Sequence, residues 1–252
     1  MTRIKRRSAL ATAAGAALGA GIAAAGPAAA ATGTRTGAPD APRGAADPLR
    51  VDIVLFDGVE ELDVFGPFEV FAGAAAMGHP VRVRLVTGGV PARVTLAFGT
   101  QVQVAQEWDP EGTDVIVVPG GGFRDRNRPG IWPEIRRGVL TRRLREAARR
   151  GPTLVGVCTG VVLLHAAGLV GTRPCTTHTG ARQHLRDEGC DVRNVRVVDD
   201  GDLVSAGGVS SGIDGALHLL ARDVSPKAAT DVEYLLEFEQ RGTPLRTGVR
   251  SD

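Results

Sequence analysis

The chain has 252 residues, 43% hydrophobic and 23% charged, which fits one ordinary globular domain with an appendage. Its formal charge of +2 misleads, because Arg3, Lys5, Arg6 and Arg7 all lie in an acid-free leader, and beyond residue 31 there remain 26 basic against 28 acidic residues. That balance gives no bulk electrostatic support to a nucleic-acid partner, and none is expected.

The leader reads as a targeting segment. Lys5-Arg6-Arg7 precedes an apolar Ala/Gly run over residues 9–26, and the small residues of 27–31 follow. A basic start, an apolar middle and an A-x-A-like end form a secretory signal. The paired arginines and the weakly hydrophobic middle resemble a twin-arginine signal, so residues 1–31 imply export to the cell envelope or beyond. Ala and Gly are too weakly apolar for a good membrane span. Residues 32–49, rich in Gly, Pro, Ala and Thr, form a flexible linker; a single domain is expected over 50–240 and a polar tail over 241–252.

Within the domain, 51–56 is a short apolar run closed by Asp57-Gly58, the mark of a buried parallel strand. Gly66-Pro67 marks the start of a helix with Phe68, Val70, Phe71 and Ala74 on its apolar face, leaving Asp63 in the preceding loop. Residues 81–86 alternate as a second strand, and 92–95 with 101–104 form a small hairpin about Phe98-Gly99. Residues 114–118 form another buried strand that runs into Pro119-Gly120-Gly121-Gly122. The glycines allow a tight turn with bare N–H groups, a candidate anion or oxyanion cradle. Neither GxGxxG nor a P-loop lysine is present, so no nucleotide cofactor is implied.

Residues 131–150 are read as one arginine-rich helix whose charges face solvent. The stretch 154–164 opens with strand character and continues with helix character, with Cys158 at the join. A thiol there stands at a strand's carboxyl end and a helix N-terminus, which favours thiolate, in the manner of a nucleophile elbow. A buried cysteine packed as a small hydrophobe is the competing reading. Residues 175–178 are expected as a short strand, 179–188 as a polar helix, 192–198 and 202–205 as a hairpin, 211–222 as a helix, and a last helix, capped by Ser225-Pro226, to end near Phe238. The alternation predicts a doubly wound α/β fold, a mostly parallel flavodoxin-like sheet between helices.

Asp63, Gly120 to Gly122, Cys158 and His178 thereby converge on one carboxyl edge, a set suited to addition to an electrophilic carbon. His79, His165, His184 and His218 lack metal-ligand spacing, and no metal is expected. His178 either orients another group or satisfies local hydrogen bonds. Cys175 and Cys190 are read as free buried thiols, with a disulfide the alternative in an exported chain.

Four segments, 54–71, 114–122, 156–178 and 197–220, resemble in the same order the ThiJ/PfpI superfamily of class I glutamine-amidotransferase-like folds. Among its members they are most similar to the isocyanide hydratases and to the N-terminal domains of AraC-type regulators. Asp63 holds the place where the wider superfamily has glutamate, as in the hydratases. Thr159 replaces the histidine that follows the cysteine in peptidase-like members, and His178 is followed by Thr179-Gly180 where relatives commonly have tryptophan. The resemblance implies that Cys158 attacks an isocyanide carbon, that protonated Asp63 supplies a proton, and that Thr159 and the backbone near Gly121 stabilise charge. The thioimidate would then hydrolyse to an N-substituted formamide. It also implies a homodimer. The alternatives are a small-molecule-binding domain without chemistry, a glyoxalase-, deglycase- or peptidase-like thiol enzyme, and an oxidation sensor at Cys158. No helix-turn-helix follows Phe238, which counts against a regulator.

Overall fold

The computed structural model describes residues 47–90, 92–105 and 107–248. The leader and most of the linker expected from the sequence lie outside the described residues.

The domain begins with β1 (Leu49–Leu55), α1 (Glu61–Ala76), β2 (Val81–Thr87) and the hairpin β3 (Ala92–Thr95) and β4 (Gln101–Val104). There follow β5 (Val115–Val118), α2 (Ile131–Arg137), α3 (Val139–Ala148), β6 (Thr153–Val157), α4 (Gly160–Ala166), β7 (Pro174–Cys175), α5 (Arg182–Asp187) and β8 (Asp191–Val192). The last part holds β9 (Val197–Asp200), β10 (Leu203–Ala206), α6 (Ser211–Asp223), α7 (Pro226–Leu236) and β11 (Leu245–Arg246).

Seven strands form one sheet in the order β11-β9-β10-β6-β5-β1-β2. From β2 to β10 neighbouring strands are parallel, and only β9 runs antiparallel to β10. The expected doubly wound, mostly parallel architecture is therefore present. Its central strands are almost wholly apolar because both faces are covered: VIVV of β5 and TLVGV of β6 are buried at every position, with Thr153 the one polar residue. Helices α1, α6 and α7 pack together on one side, and α2, α3 and α4 together on the other. Chain order reverses between β1 and β5: from β1 the chain passes to β2 on one side, whereas β5 leads to β6 on the other. A crevice opens outside the carboxyl ends of the strands at such a reversal.

Several boundaries differ from expectation. Helix α1 begins at Glu61, six residues before Pro67, because the Glu60 side chain caps it by accepting the Asp63 N–H at 2.9 Å. Pro67 stands inside the helix, where it withdraws the N–H that would have bonded the carbonyl of Asp63. Asp63 thus lies in the first helical turn, not in a loop. The arginine-rich helix breaks into α2 and α3 at Gly138, whose φ of 68° stops the first helix. The strand expected over 175–178 covers only Pro174–Cys175, and His178 instead caps a 3-10 turn (Thr179–Ala181) ahead of α5. The hairpin expected from residue 192 starts at Val197; β8 pairs with β7 in a separate two-stranded sheet. The stretch read as a polar tail contributes β11, which adds in parallel to the edge of β9.

Candidate active site

Cys158 follows β6 directly and has a left-handed backbone, φ 55°. A side chain there costs conformational energy, so the surroundings must hold it. They do so from both sides of the peptide: the Cys158 N–H reaches the carbonyls of Ala206 and Gly207 at 3.0 Å, and its carbonyl accepts the Thr177 hydroxyl at 2.7 Å. Gly160 completes the elbow. A Cβ on it would stand 1.9 Å from the Val118 carbonyl oxygen, so only glycine lets the start of α4 press against the end of β5.

The glycine loop after β5 turns out to be wired into its neighbours. The Gly120 N–H donates to Asp63 Oδ2 at 3.0 Å, and the Gly121 N–H donates to Thr159 Oγ1 at 2.9 Å. These two amides are therefore spent on positioning, which corrects the expectation of a free cradle. The backbone groups that act on the Cys158 thiol are instead the N–H groups of Thr159 and Val209. Val209 also has a left-handed backbone, φ 39°. It lies before α6 and carried no sequence signal.

Asp63 is fully buried directly beside Cys158. Its Oδ1 meets no partner in hydrogen-bond geometry, although the neighbouring thiol acts on the carboxyl. Burial first, then the charge of Glu60, raises the Asp63 pKa to about 8. Burial, then the charge of Asp63, pushes the Cys158 thiol up to about 12 against the opposing pull of the two N–H groups. The pull towards thiolate expected at the helix end is exerted by the Thr159 and Val209 N–H groups, and burial and Asp63 act against it. Both shifts favour the protonated forms of the two groups.

Cys158, Thr159, Glu60, Gly121, Gly122 and His178 open onto a cavity of about 1200 Å³. Asp63 and Gly120 stand behind them. His178 Nδ1 accepts the Gly180 N–H at 3.0 Å, a local cap, while the residue still contributes to the cavity wall. Glu60 was not singled out in the sequence; its spacing of three residues before Asp63, a capping spacing, was the available signal. Also unforeseen is an aromatic wall of Phe123, Trp132 and His184, with ring centroids 5.5 to 5.8 Å apart. The tip of the β3–β4 hairpin closes the other side, held by Glu61, whose carboxylate accepts the Phe98 N–H at 2.9 Å. No cluster among the described residues has the makings of a metal site. Cys175 and Cys190 are both free, and Cys190 Sγ lies 3.2 Å from His165 Nδ1.

Comparison with known proteins gives concordant matches. Residues 49–222 match the model of the DJ-1/PfpI family. The chain is 34% identical over 192 residues to an isonitrile hydratase of Pseudomonas putida, covering 75% of this chain and 78% of that protein. It is 27% identical over 169 residues to a deglycase of Pyrococcus abyssi, covering 63% of this chain and 89% of the relative. Among solved structures, an AraC family transcriptional regulator from Pseudomonas putida superposes with a TM-score of 0.62 at 24% identity, over 75% of this chain and all of that one.

Proposed function

The chain belongs to the DJ-1/PfpI family, and from that premise we propose that it is an exported, cysteine-dependent isocyanide hydratase. The family's hydratases and deglycases support an enzyme in general. The observation that carries the finer reading is the fully buried Asp63 carboxyl beside the Cys158 thiol, one of its oxygens held by the Gly120 N–H, an acid and a nucleophile in one buried unit.

An isocyanide, R–N≡C, needs a proton and a nucleophile on the same terminal carbon. Cys158 Sγ bonds to that carbon while the Asp63 carboxyl, adjacent to the sulfur, supplies the hydrogen; the thiol's own proton restores Asp63. The product is the thioimidate R–N=CH–S–Cys158. Water then adds to its carbon, the C–S bond breaks, and R–NH–CHO leaves with the thiol regenerated. The Thr159 and Val209 N–H groups, directed at the sulfur, would steady negative charge as it develops there. Thr159 Oγ1 fixes the loop rather than the substrate. Export rests on the Arg6-Arg7 leader, and a homodimer on family resemblance.

The test is formamide formation from an aryl isocyanide by the mature protein, beside Cys158→Ala and Asp63→Asn. Turnover lost in both variants supports the assignment. Wild-type turnover of zero, with methylglyoxal consumed through Cys158, would replace it with the deglycase-like reading.

A further inference from the structure

The cavity wall opposite the hairpin carries charge as well as rings. Arg124, Arg126 and Arg128 fall within five residues on the loop between the glycine turn and α2, and all three line the cavity that holds Cys158. Among the described residues none of the three guanidiniums makes an ion pair or hydrogen bond. In contrast, Arg84, Arg173, Arg196 and Arg222 elsewhere are all tied to carboxylates. Arg126 is held in place differently, with its guanidinium carbon 4.1 Å from the centroid of the Trp132 ring. That stacking leaves the guanidinium edge, with its N–H donors, free to meet a ligand.

The cavity also has three acids, so its formal charge is balanced and net charge does not decide the preference. Position does. Asp57 Oδ1 accepts the Thr95 N–H, Glu60 Oε2 accepts the Asp63 N–H, and Asp125 Oδ1 accepts the Asn127 N–H, each at 2.9 Å. The carboxylates are engaged by the chain's own backbone, whereas the guanidiniums are not. An arginine fork matches a carboxylate in two parallel hydrogen bonds, and its mounting on Trp132 reduces the freedom lost in forming them.

From this arrangement we propose that the preferred substrates carry a carboxylate. An isocyanide carbon would meet Cys158, an aromatic or other apolar body would lie along Phe123 and Trp132, and the carboxylate would face Arg124, Arg126 and Arg128. The identity of the reacting group rests on the hydratase reading; the carboxylate preference rests on the arginines alone.

The two are separable by experiment. Binding of 4-formamidobenzoate and its methyl ester to the wild-type protein, followed by calorimetry, needs no turnover. The acid should bind about tenfold more tightly than the ester, with the advantage shrinking as salt is raised. Arg126→Gln should reduce that ratio, and the triple variant R124Q/R126Q/R128Q should bring it to about one. Parallel kinetics with 4-isocyanobenzoate and its methyl ester should show the same ratio in kcat/KM. An acid that binds no better than the ester, or a ratio unmoved in the triple variant, overturns the proposal. Tighter acid binding without turnover of either isocyanide would uphold the carboxylate preference and sink the hydratase reading.

Discussion

The Gly121 N–H donates to Thr159 Oγ1 at 2.9 Å, joining the turn after one strand to the elbow after the next. A Cβ on the adjacent Gly120 would stand 2.4 Å from the same oxygen, so loop and elbow are fitted to each other without slack. Thr159→Val keeps the shape but strands the Gly121 amide, and should cost about 1–3 kcal/mol in urea unfolding. Thr159→Ser, which retains the acceptor, should recover most of it. Equal stability of the two variants would show that the bond holds nothing together.

Asp63 links folding to pH. Its pKa is about 8 in the fold, against 3.8 for the free group, so between those values the native state holds a proton that the unfolded chain has released. Stability contributed by the neutral carboxyl is complete below about pH 4 and is lost as pH rises towards 8. Asp63→Asn has no such proton to lose. It should be more stable than wild type by a few kcal/mol near pH 8, with the gap closing towards pH 4. Parallel stability curves for the two proteins would contradict this.

Glu60 has two jobs that substitution can separate. Its carboxylate caps α1 through the Asp63 N–H, and its charge raises the Asp63 pKa. Glu60→Gln keeps an acceptor oxygen but removes the charge, so Asp63 should lose its proton at lower pH. The alkaline limb of kcat/KM against pH should therefore move to lower pH with little change in stability. Glu60→Ala should in addition cost about 1 kcal/mol of stability for the lost cap. An alkaline limb unmoved in Glu60→Gln would assign it to another group.

A second buried network supports the far end of the sheet. His218 Nε2 lies 2.7 Å and Arg222 Nη1 3.0 Å from the two carboxylate oxygens of Asp199 on β9. Burial alone would raise the Asp199 pKa, yet His218 and Arg222 outweigh it and hold the carboxyl down at about 2. The ionised form therefore contributes stability above about pH 4, lost as pH falls towards 2. Arg222→Ala should cost about 3–5 kcal/mol, because it removes the guanidinium that Asp199 and Asp223 share in the buried network. It should also move acid unfolding to higher pH, which circular dichroism can follow.

Much of this was legible in the chain. The runs VDIVL, VIVV and TLVGV identify central strands because burial on both faces selects apolar residues, Asp52 and Thr153 being the exceptions, and Cys158 between such a run and Gly160 marks the elbow. Asp63 was visible as a residue but not as a helical one: Gly66-Pro67 is the stronger local start signal, and only the fold shows Glu60 capping three residues earlier. The forces acting on the Cys158 thiol were only half legible for a related reason. A helix end can be seen in sequence, whereas the desolvation that opposes it belongs to the packed site. Val209 and the Phe123–Trp132–His184 wall could not be assembled from spacing, since their segments meet only after the chain has crossed the sheet.

The left-handed backbone at Cys158 sets the fold and its chemistry at odds. Glycine would occupy that conformation without penalty, and asparagine at 63 would spare the core an ionisable group. Neither replacement is found here, although both would be permitted in a chain selected for folding alone. At both positions the side chain present is one that costs the fold.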